Sequence, residues 1–218
     1  DGKILPADRH NMKVISMGML TGDDNPIHCD PAFAAKSHFG ATVAHGMLLY
    51  SCICKALTEQ VGPGVVQMEQ TLMFPNPTYV GDRLRIDLQV DVERGGLLDV
   101  LTEVTKVGAS SLCAPGIPLR GQVTALATAT GRCRVVAPDA TLPALAPTEY
   151  RAEQGDAELY GLRPGMSASS TRTFDIADLD EYGDLSGDRN PIFRDDIEAR
   201  ARGFNGRIVP WPLLAGMF

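Results

Sequence analysis

The chain has 218 residues, 44% apolar and 22% charged, the balance of an ordinary folded protein with room for one large domain or two small ones. A net charge of −7 argues against a nucleic-acid binder, which would carry a basic patch. No apolar run reaches the roughly 20 residues a spanning helix needs, and no signal peptide is visible.

Residues 1–11 are polar, and Asp1-Gly2-Lys3 reads as a processed or trimmed end. Met12 to Leu20 can form a short helix capped by Asn11. Gly22-Asp23 and Asn25-Pro26 are turn-forming pairs, and Pro26 pushes Asn25 out of the helical region. Asp30-Pro31 is a helix start, cap then first position, and predicts a helix from Pro31 to Ser37. Gly40 ends it. Gly46 opens a second helix, Met47 to Leu57 and beyond, apolar on nearly every face until Lys55. A helix of that kind is buried on all sides. Gly62-Pro63-Gly64 stops it.

Strand signals follow. Val65 to Phe74 is the first. Arg83 to Glu93 alternates cleanly, with Leu84, Ile86, Leu88, Val90 and Val92 on one face. Gly95-Gly96 turns the chain into Leu97 to Val107. Gly108 to Leu119 is a loop, and Gln122 to Val136 is the last strand, with Gly131 a candidate bulge. Helix first, then antiparallel strands, is an α+β order. Residues 137–165, punctuated by Pro138, Pro143, Pro147 and Pro164, read as a linker crossing the surface.

The stretch around Asp23 then returns. Leu185-Ser186-Gly187-Asp188-Arg189-Asn190-Pro191-Ile192-Phe193 matches Leu20-Thr21-Gly22-Asp23-Asp24-Asn25-Pro26-Ile27-His28 at an ungapped offset of 165 residues. Such a repeat suggests a duplicated domain. The second copy changes where chemistry would sit: His28 becomes Phe193, and His45-Gly46 becomes Pro210-Trp211. Phe193 cannot exchange a proton, and Pro210 has no N–H. Copy two is expected to be non-catalytic, kept for packing or for shaping a pocket, with Asp188 a turn aspartate. It stops as its helix begins, so the protein continues past Phe218, or has lost residues, or borrows a sheet from another chain. The resulting division is 1–136, linker 137–165 and partial repeat 166–218.

Three of the four histidines (His28, His38, His45) fall between residues 21 and 50. Asp23 and His28 are an acid and a base five residues apart across a break, so only a folded-back loop can bring them together. The start of the Gly46 helix points free N–H groups outward, where an anion can be held, and the missing Cβ of Gly46 allows close approach. Taken singly, each residue has a duller reading: Asp23 as a turn former, His28 as a satisfied polar group, His45 as a cap or packing residue. His10 and His38 read as surface or packing residues. The five cysteines (Cys29, Cys52, Cys54, Cys113, Cys133) lack framework spacing and read as reduced thiols rather than disulfides or a zinc site. Cys29 beside His28 need not face the same way, so a thiol nucleophile is disfavoured.

The composite of Gly22-Asp23-Asp24-Asn25-Pro26-Ile27-His28 followed by Ala44-His45-Gly46-Met47-Leu48 resembles the MaoC-like, (R)-specific enoyl-CoA hydratase family. The resemblance implies a hot-dog fold, a long helix wrapped by a curved antiparallel sheet, here with a degenerate, incomplete second repeat. It implies hydration of trans-2-enoyl thioesters to (R)-3-hydroxyacyl thioesters, or the reverse. Asp23 and His28 would hold one water and share the proton transfers. The Gly46 N–H would hold the thioester oxygen, and Asn25 would fix the turn and orient the water. No metal or cofactor is implied; the CoA or acyl-carrier-protein thioester is the substrate. Local basic contacts to a CoA phosphate fit, as do a cytoplasmic location and a homodimer or pseudo-dimer of hot-dog domains, with no nucleic-acid or membrane partner. Two other readings stay open: a non-catalytic partner subunit of a dehydratase or polyketide or fatty-acid assembly, and a thioesterase on the same fold.

Overall fold

A computed structural model describes residues 17–107, 125–144, 161, 163 and 166–217. Residues 17–21 are helical (α1). Two one-turn helices follow, α2 (Pro26–Cys29) and α3 (Pro31–Ala34), then the long helix α4 (Gly46–Gln60). The strands are β1 (Val66–Met73), β2 (Leu84–Arg94), β3 (Leu97–Val107) and β4 (Ala125–Val136). They form an antiparallel sheet in the order β1-β4-β3-β2. The C-terminal part holds α5 (Ile176–Ser186), α6 (Pro191–Arg194), α7 (Asp196–Ala201) and α8 (Trp211–Ala215).

The apolar residues of α4 lie against one face of the sheet. Leu49, Tyr50, Ile53, Cys54 and Leu57 pack on Val100, Val104, Ala129, Cys133 and Val135. The other face carries ion pairs such as Arg134–Asp99 and Arg132–Asp91. A helix laid in an antiparallel sheet is the hot-dog fold.

Several local expectations are corrected. The 23–28 stretch is not only a turn: Asn25 Oδ1 accepts the Ile27 N–H and starts α2, a turn of helix led by Pro26. The helix after Asp30 ends at Ala34, with its cap as expected: Asp30 Oδ1 accepts from the Ala32 and Phe33 N–H groups. The alternation of β2 fails at Val90, which is 54% exposed, because the register shifts between Val90 and Val92. Gly131 is not a bulge. It pairs with Leu72 and Thr102, and a Cβ there would run into the Thr71 carbonyl, so close strand approach demands glycine. Residues 137–144 do more than cross the surface: Ala140 and Leu142 pack with Val66, Val136, Ile192 and Phe193, and the Arg202 guanidinium donates to the carbonyls of Gly64, Ala137 and Ala140. His10, Cys113, the 108–119 loop and most of the linker lie outside the described residues.

The sequence repeat is also a hydrogen-bond repeat. Thr21 Oγ1 donates to the Met17 carbonyl, and Ser186 Oγ to that of Tyr182. The Asn25 N–H donates to Asp23 Oδ1, and the Asn190 N–H to Asp188 Oδ1. The Val43 N–H donates to the Ile27 carbonyl, and the Ile208 N–H to that of Ile192. The two copies then pack on each other through matching positions. Met17, Leu20 and Leu48 share one cluster with their equivalents Tyr182, Leu185 and Leu213. A patch that contacts its own counterpart is the mark of an isologous, two-fold-like interface. The short α8 is not left bare: it packs on α4, and Leu213 is fully buried.

Candidate active site

The α1–α2 connection and the approach to α4 meet at one point. Gly22, at φ 83°, turns the chain out of α1. The bridge between Val43 and Tyr79, with the Ala44 N–H donating to the Thr78 carbonyl at 2.8 Å, fixes the strand that feeds α4. The 75–83 segment on the far side of that bridge is itself anchored. Asn76 Nδ2 donates to the Ala127 carbonyl, and Asp82 Oδ2 accepts the Tyr79 N–H and pairs with Lys106 at 2.7 Å.

His28 is held by its ring. Its Nδ1 lies 2.8 Å from the Val43 carbonyl, which accepts only if Nδ1 carries the proton. That leaves Nε2 as the free nitrogen, 3.8 Å from Asp23 Oδ2. The separation is too long for a hydrogen bond between them and short enough for one small molecule to bond to both. Asn25 spends its Oδ1 on the α2 cap, so its role in fixing the turn is visible in the geometry.

His45 is more involved than its sequence suggested. It occupies the cap position of α4 but makes no side-chain cap bond. Its Nε2 donates to the Asp23 carbonyl at 3.0 Å and lies 3.7 Å from Asp23 Oδ2. Its ring stacks on His28, centroids 4.0 Å apart. Burial lowers the His45 pKa; the bond to the Asp23 carbonyl opposes this, and His28 adds to it. The imidazole is therefore a neutral donor, and its Nδ1 is buried with no partner among the described residues. Gly18 makes room for the arrangement, because a Cβ there would come within 2.7 Å of the Asp23 carbonyl. One ligand atom each from Asp23, His28 and His45 fall within 4.8 Å of one another. A metal on His45 Nε2 would have to displace its bond to Asp23, so the cluster is arranged for hydrogen bonding.

A cleft of about 520 Å³ opens beside these groups. His28, Val43, Gly46, Leu49, Phe74 and Thr78 line it, while Asp23 stands behind His28 with its side chain 39% exposed. Gly46 is the first residue of α4, so its N–H has no helical acceptor. His38, read as a surface or packing residue, packs on Phe39 and also lines the cleft. Cys29 is exposed, and its thiol is directed to the Asp24 and Asn25 carbonyls. The described cysteines are all free thiols.

In copy two the same construction is filled. Phe193 and Trp211 meet edge to face, centroids 5.1 Å apart, where His28 and Gly46 would be. Asp188 is not merely a turn aspartate. It is 1% exposed, and its Oδ1 accepts from Thr58 Oγ1 of α4 at 2.9 Å. Asn190 likewise takes the Gly64 N–H and donates to the Val65 carbonyl. The motif that forms an open site in copy one clamps the end of α4 in copy two.

The family model for "MaoC like domain" matches residues 9–109. A 3-hydroxybutyryl-CoA dehydratase of Methylorubrum extorquens is 37% identical over 89 residues, 40% of this chain and 57% of the relative. An (R)-specific enoyl-CoA hydratase of Aeromonas caviae is 39% identical over 83 residues, 38% of this chain and 62% of the relative. The chain thus spans about three-fifths of the length of these relatives. A solved structure described as a MaoC-like dehydratase superposes on 95% of this chain and 71% of its own, with a TM-score of 0.63 at 19% identity, which speaks for the fold. Among the described residues no helix is long and apolar enough to cross a membrane. Residues 9–109 are thus similar to the MaoC-like family.

Proposed function

We propose that this protein is a hydro-lyase that adds water across the double bond of a trans-2-enoyl thioester, CoA-linked or carried by an acyl carrier protein, or removes it in reverse. The observation that carries the reading is the convergence of Asp23 Oδ2 and His28 Nε2, 3.8 Å apart, with His28 on the wall of a cleft that Gly46 also lines. One water bonded to both groups loses a proton to them as its oxygen attacks C3. The same proton inventory returns one proton to C2, so the reaction balances without a redox partner. Charge builds on the thioester oxygen as C3 is attacked, and a donor fixed in advance at that place supplies the largest share of such catalysis. The Gly46 N–H at the start of α4 is that donor. The Val43 carbonyl keeps His28 in one tautomer, so Nε2 alone takes and gives the proton. The (R) configuration of the product is carried over from the similar (R)-specific hydratase. The second repeat, with Phe193 and Trp211 in the matching positions, takes no part in the chemistry and serves as a packing domain.

Incubation with crotonyl-CoA tests the reading. Loss of enoyl absorbance without release of free thiol supports it. Free CoA points instead to a thioesterase, and no change across a range of enoyl thioesters points to a non-catalytic subunit.

A further inference from the structure

We infer that Phe74 is a positioning residue for this reaction, a ring that closes over the start of α4 and keeps water away from the Gly46 N–H while the thioester oxygen is bound to it. The inference rests on the hydratase reading of the site and adds a part that the motif around Asp23 and His28 does not contain.

Phe74 follows the last residue of β1 and precedes Pro75-Asn76-Pro77. The backbone here is held at two points, by Asn76 Nδ2 on the Ala127 carbonyl and by the Ala44 N–H on the Thr78 carbonyl. The side chain is not held in the same way. It is 43% exposed and belongs to none of the three apolar clusters. A large apolar ring left half in water on a fixed backbone calls for an explanation. A close neighbour among the described residues, Gly46, supplies it. A Cβ on Gly46 would lie 2.8 Å from the para carbon of Phe74 and 2.9 and 3.2 Å from the two carbons beside it. The ring therefore stands end-on against the glycine, in the space a side chain at 46 would take. A helical Cβ leans toward the N-terminus, so this is the space beside the orphan N–H groups. Phe74 also lines the cleft with His28. Glycine at 46 is thus required by the ring. A hydrogen bond to a developing anion is worth more where water is excluded, so a ring at this place raises the rate of the chemical step more than it raises affinity.

The para carbon being the nearest atom gives an unusual substitution order. Phe74→Leu keeps apolar cover and is expected to hold kcat within about threefold. Phe74→Tyr is the milder change on paper, but its hydroxyl would be driven onto the Gly46 backbone, and kcat is expected to fall about tenfold or more. Phe74→Ala uncovers the N–H and is expected to cost a similar factor in kcat with KM changed less than threefold. Gly46→Ala pushes the ring aside, so adding Phe74→Ala to Gly46→Ala should cost much less than it does alone. The bound thioester gives a direct readout: with a ¹³C-labelled carbonyl, the C=O stretch should move toward its free-solution frequency in Phe74→Ala while the melting temperature stays within a few degrees of wild type. An active wild type whose Phe74→Ala and Phe74→Tyr variants keep full kcat and the same carbonyl stretch would overturn the inference and leave the hydratase reading intact. A wild type that hydrates no enoyl thioester would overturn both.

Discussion

His28 and His45 lie face to face, their rings 4.0 Å apart and 27° from parallel, and each is tied by a nitrogen to a backbone carbonyl, His28 to Val43 and His45 to Asp23. The stack fixes the free nitrogen of His28 against Asp23 without a direct bond between acid and base. One imidazole is exposed to the cleft and the other is 2% exposed. The buried ring thus organises the pair that would do the chemistry.

That burial links stability to pH. Desolvation lowers the His45 pKa in the folded state from an ordinary 6.5. Below 6.5 the unfolded chain therefore takes up a proton that the folded chain refuses, and stability falls with pH until the lowered value is reached. Melting temperature should drop on acidification from pH 7 through the sixes, with His28 and Asp23, the charged or titratable groups facing the ring, held in common. His45→Gln keeps an N–H donor for the Asp23 carbonyl and should flatten that part of the curve. A variant profile parallel to wild type would show that His45 does not carry the effect.

Removal of either reacting group should lower kcat severely. His28→Ala and Asp23→Asn are each expected to lower kcat by roughly 10²–10⁴-fold, the usual worth of a placed acid or base. Asp23 is 39% exposed, so Asp23→Asn should cost little stability, whereas the His28 side chain is 12% exposed and His28→Ala also removes the stack on His45 and the bond to Val43, so its melting temperature should fall. Steady-state hydration of crotonyl-CoA measures the first effect and thermal melting the second. Full activity in His28→Ala would remove the residue from the mechanism.

Asp188 shows what the Asp23 position becomes when it is enclosed. Burial raises its pKa, while the bonds from Thr58 and the Asn190 N–H oppose the shift. For a carboxyl raised above its unfolded value, stability is lost as pH climbs from about 3.8 through the folded value. Asp188→Asn is therefore expected to melt at or slightly above wild type at pH 7. Thr58→Val removes the hydroxyl donor and should cost about 1–3 kcal/mol in urea unfolding, the penalty for an under-bonded buried polar group. Equal stability of Thr58→Val and wild type would mean the clamp contributes nothing.

The Lys106–Asp82 pair holds the cleft wall from below. Its side chains are 11% and 2% exposed, and the contact is 2.7 Å. Lys106→Met leaves a buried carboxylate and is expected to cost about 3–5 kcal/mol. The double change Lys106→Met with Asp82→Asn removes both charges and should recover much of that loss. Chemical denaturation of the three proteins checks the order, and failure of the double variant to improve on the single one would refute the pairing argument.

The α+β order, the buried α4, its glycine start and the antiparallel strands were legible in the chain because each depends on local periodicity and on Gly and Pro. So was the repeat, down to the loss of His28 and Gly46 equivalents at Phe193 and Trp211. The turn helix at Pro26 was missed because a single turn leaves no periodic trace. The Val90 break was missed because a register shift belongs to two strands at once. Sequence named Asp23, His28, Asn25 and Gly46, since the spacing of a short motif is written in one dimension. It read His45 as a cap or packing residue, without its bond to the Asp23 carbonyl, and passed over Phe74, Val43 and Gly18, whose contacts join segments distant along the chain. Only the tertiary structure decided that the same Asp-x-Asn-Pro motif is partly exposed in one copy, where the His28 that follows it lines a cleft, and clamps a helix end in the other, because burial is set by what packs against a turn, not by the turn's own residues.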